Sequence, residues 1–205
     1  MFGRGSSERK TVAPDLAARL ARLEHYWRAI RGAALVPARS AVDPLQIDDL
    51  LPDCFIVERV APSVLRLRVA GARLGEALGI DVRGMPLSAL FLPDGREALA
   101  RNAALAFDGP RIVEFDVTSP GRLGRAALNG RMIFLPLTDG EGRVTRAMGA
   151  LVWSGDAGHG GGRRFTVPEG PVRCDDPGAP MAIRAEPTPP PIVERGGLRL
   201  VVDNT

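Results

Sequence analysis

Arg73, Arg39 and Asp43 are the side chains whose type and placement most invite a chemical role. A guanidinium offers a planar fork of donors that matches a carboxylate or a phosphate. Arg73 is therefore the first candidate to meet an acidic ligand or an acidic group of a partner. Arg39 and Asp43 flank a short turn and are expected to pair as ions that lock it, with Arg39 a second ligand-binding candidate. No catalytic residue is expected. His25 and His159 are the only histidines and lie far apart, which suits neither a metal site nor a Ser-His-acid arrangement. The chain has no Gly-x-Ser-x-Gly elbow and no Walker sequence, and Lys10 is its sole lysine. Asp48-Asp49 and Asp175-Asp176 are chain neighbours, which do not share a helix face, so they read as solvated or capping charges. Tyr26 is the one tyrosine, and a Tyr–carboxylate oxyanion site would have to use it. Cys54 and Cys174 lack CxxC spacing. Cys54 reads as a small buried hydrophobe, and both fit a reduced, cytoplasmic compartment.

Elements must hold these groups in place. Residues 1–12 read as a flexible leader, 13–154 as one domain, and 155–205 as a Gly/Pro-rich tail expected to be mostly disordered. A first helix opens at Pro14 with Asp15 in its first turn and stops at Gly32. Leu16, Leu20, Leu23, Trp27 and Ile30 form a narrow apolar stripe on it, fit to pack on a partner helix or on one side of a sheet. Asp43 and Pro44 open a second short helix with Leu45, Ile47, Leu50 and Leu51 as its buried side. Strands follow over Phe55–Val60 and Val64–Val69. A helical middle covers Ala72–Leu78, Leu87–Phe91 and Asp94–Phe107, the last capped by Asp94. Three strands close the domain, around Val113–Val117, over Leu128–Leu137 and over Arg143–Trp153, with an Asp139-Gly140 hairpin turn between the last two. Clustered strands with short links predict an antiparallel sheet and an α+β fold.

Charge narrows the partners. The net charge is +3 with arginines interspersed among acids, so no clustered basic stripe for nucleic acid is present. The longest apolar run, Ala147–Trp153, is far too short to span a bilayer.

The run Tyr26-Trp27-Arg28, Arg31-Gly32, Leu35-Val36-Pro37-Ala38-Arg39, Asp43-Pro44-Leu45-Gln46-Ile47 and Leu50-Leu51-Pro52 resembles the N-terminal signature of a bacterial PAS-domain subfamily first catalogued as a domain of unknown function. The likeness continues through Arg68–Leu74 and Gly79–Gly84 and covers about residues 20–154, with Ala72 where threonine is usual. It implies a five-stranded antiparallel sheet with helices on one face and a small pocket between them. Arg73 would border that pocket; Met132, Phe134 and Trp153 are further ligand-binding candidates, which line one sheet face or the other, both sides of their strands being apolar. It also implies an N-terminal helix through which such domains often form homodimers. A haem PAS domain needs a histidine on the long helix, and a flavin PAS domain an Asn-Cys-Arg cysteine mid-domain; neither is present, so no cofactor is expected. The resulting expectation is a non-catalytic sensor or adaptor taking a small-molecule ligand or a protein partner, without nucleic acid or membrane. The alternatives are a purely structural interaction module and a small α+β enzyme.

Overall fold

The structure, a computed structural model, describes residues 14–121, 125–155 and 162–179. Helix α1 (Pro14–Arg31) ends where Gly32 takes a left-handed φ of 59°. Strands β1 (Cys54–Ala61) and β2 (Val64–Ala70) form a hairpin, followed by α2 (Ala72–Leu78) and α3 (Arg96–Asp108). Then come β3 (Ile112–Ser119), β4 (Leu128–Thr138), β5 (Val144–Trp153) and a short β6 (Val172–Asp175). All neighbours are antiparallel in the order β2-β1-β5-β4-β3-β6. The sheet thus has six strands, one more than the sequence suggests.

Both faces of the sheet are buried, which is why its middle strands are apolar throughout. Side chains alternate along each strand. Phe55, Val57, Met132, Phe134, Leu151 and Trp153 face α2 and α3. Ile56, Ile133, Leu135, Met148, Ala150 and Val152 face α1. Leu16, Leu20, Leu23 and Trp27 of α1 are buried against this second face, with Ile30 packed at its margin. Each such burial is worth about 1.5–3 kcal/mol. The α1 stripe is therefore consumed by the chain's own sheet. Trp27 also donates its indole Nε1–H to the Pro136 carbonyl at 2.7 Å.

Several local expectations shift. The Pro44–Ile47 helix is a 3-10 turn in which Asp43 caps Leu45 N at 3.0 Å as expected, but Leu45 is 84% exposed. One turn of 3-10 helix cannot bury four apolar positions on one side. Asp94 does not cap α3: Pro93 opens a separate 3-10 turn, and α3 starts at Arg96 behind Gly95. In the β4–β5 hairpin the left-handed residue is Gly142 (φ 77°), not Gly140. The Asp139 carboxylate accepts from the amides of Glu141 and Arg143 at 2.9 and 3.0 Å and sets that turn.

The largest difference lies beyond Trp153. Residues 162–179 run as a strap along the β3 side of the sheet. Phe165 is fully buried and exchanges backbone hydrogen bonds with Leu90 and Leu92. Thr166 pairs with Thr118, and β6 then pairs with the other end of β3. A buried aromatic ring and a strand ladder override the Gly/Pro composition of the surrounding tail. At the opposite edge, β2 is covered by Gly84–Pro86, with Leu67 N donating to Met85 O at 2.9 Å. No helix among the described residues is long and apolar enough to cross a membrane.

Candidate functional site

Aromatic side chains pack the layer between sheet and helices. Phe134 meets Phe55 edge-on at 5.6 Å and stacks with Phe115 at 6.1 Å. Phe165 closes the other side against Trp153 at 5.5 Å and Phe91 at 6.4 Å. Met132, Phe134 and Trp153, the further ligand-binding candidates, are packed core residues with almost no exposure. A groove of about 450 Å³ lies instead beside α2, lined by Gly71, Gly75, Glu76, Ile80 and Arg83 among others.

Arg73 is the exception among the expected pocket residues. It leaves the first turn of α2 with its guanidinium carbon 4.3 Å from the Trp153 ring centroid, a cation–π stack. Its Nη1 donates to Asp53 Oδ1 at 2.7 Å. Arg19 of α1 donates to the other carboxylate oxygen of Asp53. Asp53 is only 1% exposed, whereas the two arginines keep 26% and 30% of their side-chain surface. One buried carboxylate thus holds cations from the helix layers on opposite faces of the sheet. Gly71 permits it: a Cβ there would lie 2.1 Å from Leu51 O and 2.3 Å from Pro52 O, so only glycine lets α2 start so close to Asp53. The Trp153 Nε1–H, buried beneath Arg73, has no hydrogen-bond partner.

Arg39 does not join this cluster. It sits in the Arg39–Ala41 turn, after the Ala38–Thr138 bridge, and forms no ion pair with Asp43. The Asp43 carboxylate is occupied with its capping bond to Leu45 N and with Gln46 Nε2. Tyr26, not Arg39, locks this loop. Its hydroxyl accepts from Asp43 N at 2.7 Å and donates to Asp43 O at 3.1 Å. The Tyr26 hydroxyl is therefore hydrogen-bonded to the backbone of Asp43 on both sides. His25 is exposed on α1, and His159 lies outside the described residues.

A second charged cluster, which sequence reasoning misses, lies on the α1 face near β6. Glu24 is 1% exposed and accepts from Arg28 at 3.0 Å and Arg173 at 2.7 Å. Glu114 of β3 is 4% exposed and accepts from Arg131 at 3.2 Å and Arg173 at 2.8 Å. Burial pulls the Arg173 guanidinium down, but the Glu24, Asp175 and Glu114 carboxylates more than offset it and hold it above the ordinary arginine value. Among the described residues, no group of His, Cys, Asp and Glu could hold a metal ion.

Burial, helped by the neighbouring Asp53 charge, pushes the Cys54 thiol up to about 12. A folded pKa above the unfolded value near 9 adds stability below that value, and the contribution is lost as pH climbs toward 12. Native protein treated with a thiol reagent at about pH 8 is expected to react at the half-buried Cys174 and to spare Cys54. Peptide mass spectrometry reads the two sites, and equal labelling is expected only after unfolding.

An antiparallel sheet with α2 and α3 on one face, entered by an N-terminal helix, defines a PAS-type α+β domain. The family described as PAS domain matches residues 17–152, and the chain belongs to it. No curated protein matches the chain in sequence. Among solved structures, it is similar to a light-oxygen-voltage domain studied with a flavin analogue, at 16% identity and a TM-score of 0.42 over 57% of this chain and 89% of that one. A variant of RsLOV shows 13% identity and a TM-score of 0.40 over 72% of each chain. An RNA-binding light-oxygen-voltage receptor shows 20% identity and a TM-score of 0.37 over 58% of this chain and 35% of that one.

Proposed function

We propose that this PAS-type sensory domain is a non-catalytic sensor or adaptor that takes its input at Arg73 and relays it to α1. The observation that carries the reading is the shared carboxylate of Asp53, bound by Arg73 from α2 and by Arg19 from α1. A carboxylate- or phosphate-bearing ligand that engages Arg73 competes with Asp53 for the same donors. Asp53 then keeps only its α1 partner, and the balance between the two layers changes. The packed layer beneath Arg73 supports an input at the surface over a guest inside the sheet–helix space. The occupied hydroxyl of Tyr26 supports the non-catalytic side of the reading. A cytoplasmic place belongs to the same reading and is supported by the free thiols of Cys54 and Cys174. A homodimer, if formed, uses surfaces other than the α1 stripe, which the chain's own sheet covers.

The test is a thermal-shift panel of small carboxylates and phosphates on the wild-type chain and on Arg73→Met, with native mass spectrometry for co-purifying ligand. The expected result is a rise in Tm with at least one anion that Arg73→Met abolishes. A flat panel, or a rise that Arg73→Met retains, overturns Arg73 as the input.

A further inference from the structure

Ion pairs and hydrogen bonds join the strap to α1, beside a buried Pro177. The first part of the strap is anchored by the fully buried Phe165. Its last part, residues 172–179, contributes the four-residue strand β6 on β3, a half-buried Cys174 packed on the core and a buried Pro177, while Val172 is 36% exposed. What links that part to α1 by charge is Arg173, which forks between Glu24 on α1 and Glu114 on β3 at 2.7 and 2.8 Å. The chain then turns at Asp176, where the carboxylate accepts from Gly178 N at 2.7 Å. This turn aims the Pro177 and Ala179 carbonyls at Arg28 of α1, which donates to them at 3.1 and 2.6 Å.

The two elements complete each other's ion pairs. With the strap lifted, Glu24 and Glu114 each lose the Arg173 guanidinium. With α1 lifted, Arg173 loses Glu24 and the two strap carbonyls lose Arg28. Removing one member of a buried pair is strongly unfavourable because the remaining charge is uncompensated. Docking of either element therefore favours docking of the other, and the coupling is reciprocal.

We infer that residues 172–179 are a releasable latch on α1, so that detaching this segment loosens the N-terminal helix and holding the helix retains the segment. This connects residues 172–179 to α1 without passing through Arg73, and it holds whether or not Arg73 takes a ligand.

Hydrogen exchange read by mass spectrometry on the full chain tests it. In Arg173→Met, amides of residues 172–175 and of α1 are both expected to exchange about tenfold faster. Peptides from β1 and β2 should keep wild-type rates. The reciprocal variant, Glu24→Gln, lies on α1 yet should release residues 172–175. It also carries the test alone if Arg173→Met does not fold. The inference is overturned if Arg173→Met opens the strap and leaves α1 protected, if Glu24→Gln leaves the strap at wild-type rates, or if all peptides accelerate together.

Discussion

Replacing Arg19 and Arg73 together with methionine is expected to cost about 3–5 kcal/mol of folding stability, the penalty for leaving a buried charge without a partner. Asp53 is 1% exposed, so solvent cannot take over from the lost guanidinium groups. Each single substitution leaves one cation in place and should cost about 1 kcal/mol, so the double variant loses more than the sum of the two. Adding Asp53→Asn to the double variant removes the stranded charge and should recover part of the loss. Urea unfolding of these four variants and the wild type measures this. Additive single losses, or no recovery with Asp53→Asn, would mean that Asp53 does not bind the two layers as one unit.

Phe134→Ala should be comparably costly, about 3–5 kcal/mol, because the ring has no exposed surface and sits between Phe55 and Phe115. The deleted ring leaves space in an otherwise packed layer, lined by apolar groups that keep it dry. Benzene or a similar apolar probe is then expected to raise the Tm of Phe134→Ala while leaving the wild-type chain unchanged. A wild-type chain that responds equally would show that the layer already holds room for a guest. The paired result decides whether a PAS domain of this kind can be made to accept an internal ligand by a single truncation.

Much of the scaffold is legible in the sequence because the signals are local. Pro14 and Gly32 bracket α1, and alternation of Leu65 and Leu67 with arginines marks β2. The strap escapes because glycine and proline dominate residues 155–205, while two side chains, Phe165 and Arg173, supply the burial and charge that fix it. Asp53 escapes for a different reason. Its two partners lie 34 and 20 positions away, and nothing beside Pro52 and Cys54 announces a carboxylate shared between faces. Arg73 is identifiable by type, but the expected pocket around it depends on volume, and side-chain packing across a sheet has no local signature. The Arg39–Asp43 pair fails because the Asp43 carboxylate finds a nearer donor in the backbone of its own turn.

Every cation in the described ion pairs is an arginine. Guanidinium groups stay protonated across the whole physiological range, so these contacts cannot be tuned by losing a proton. They are also closed to acyl transfer onto a side-chain amine, since Lys10 alone offers one and lies ahead of α1. Amine-directed labels and cross-linkers will therefore leave the side chains of the folded body untouched, and covalent tethering to study its assemblies needs other groups, such as carboxylates or Cys174.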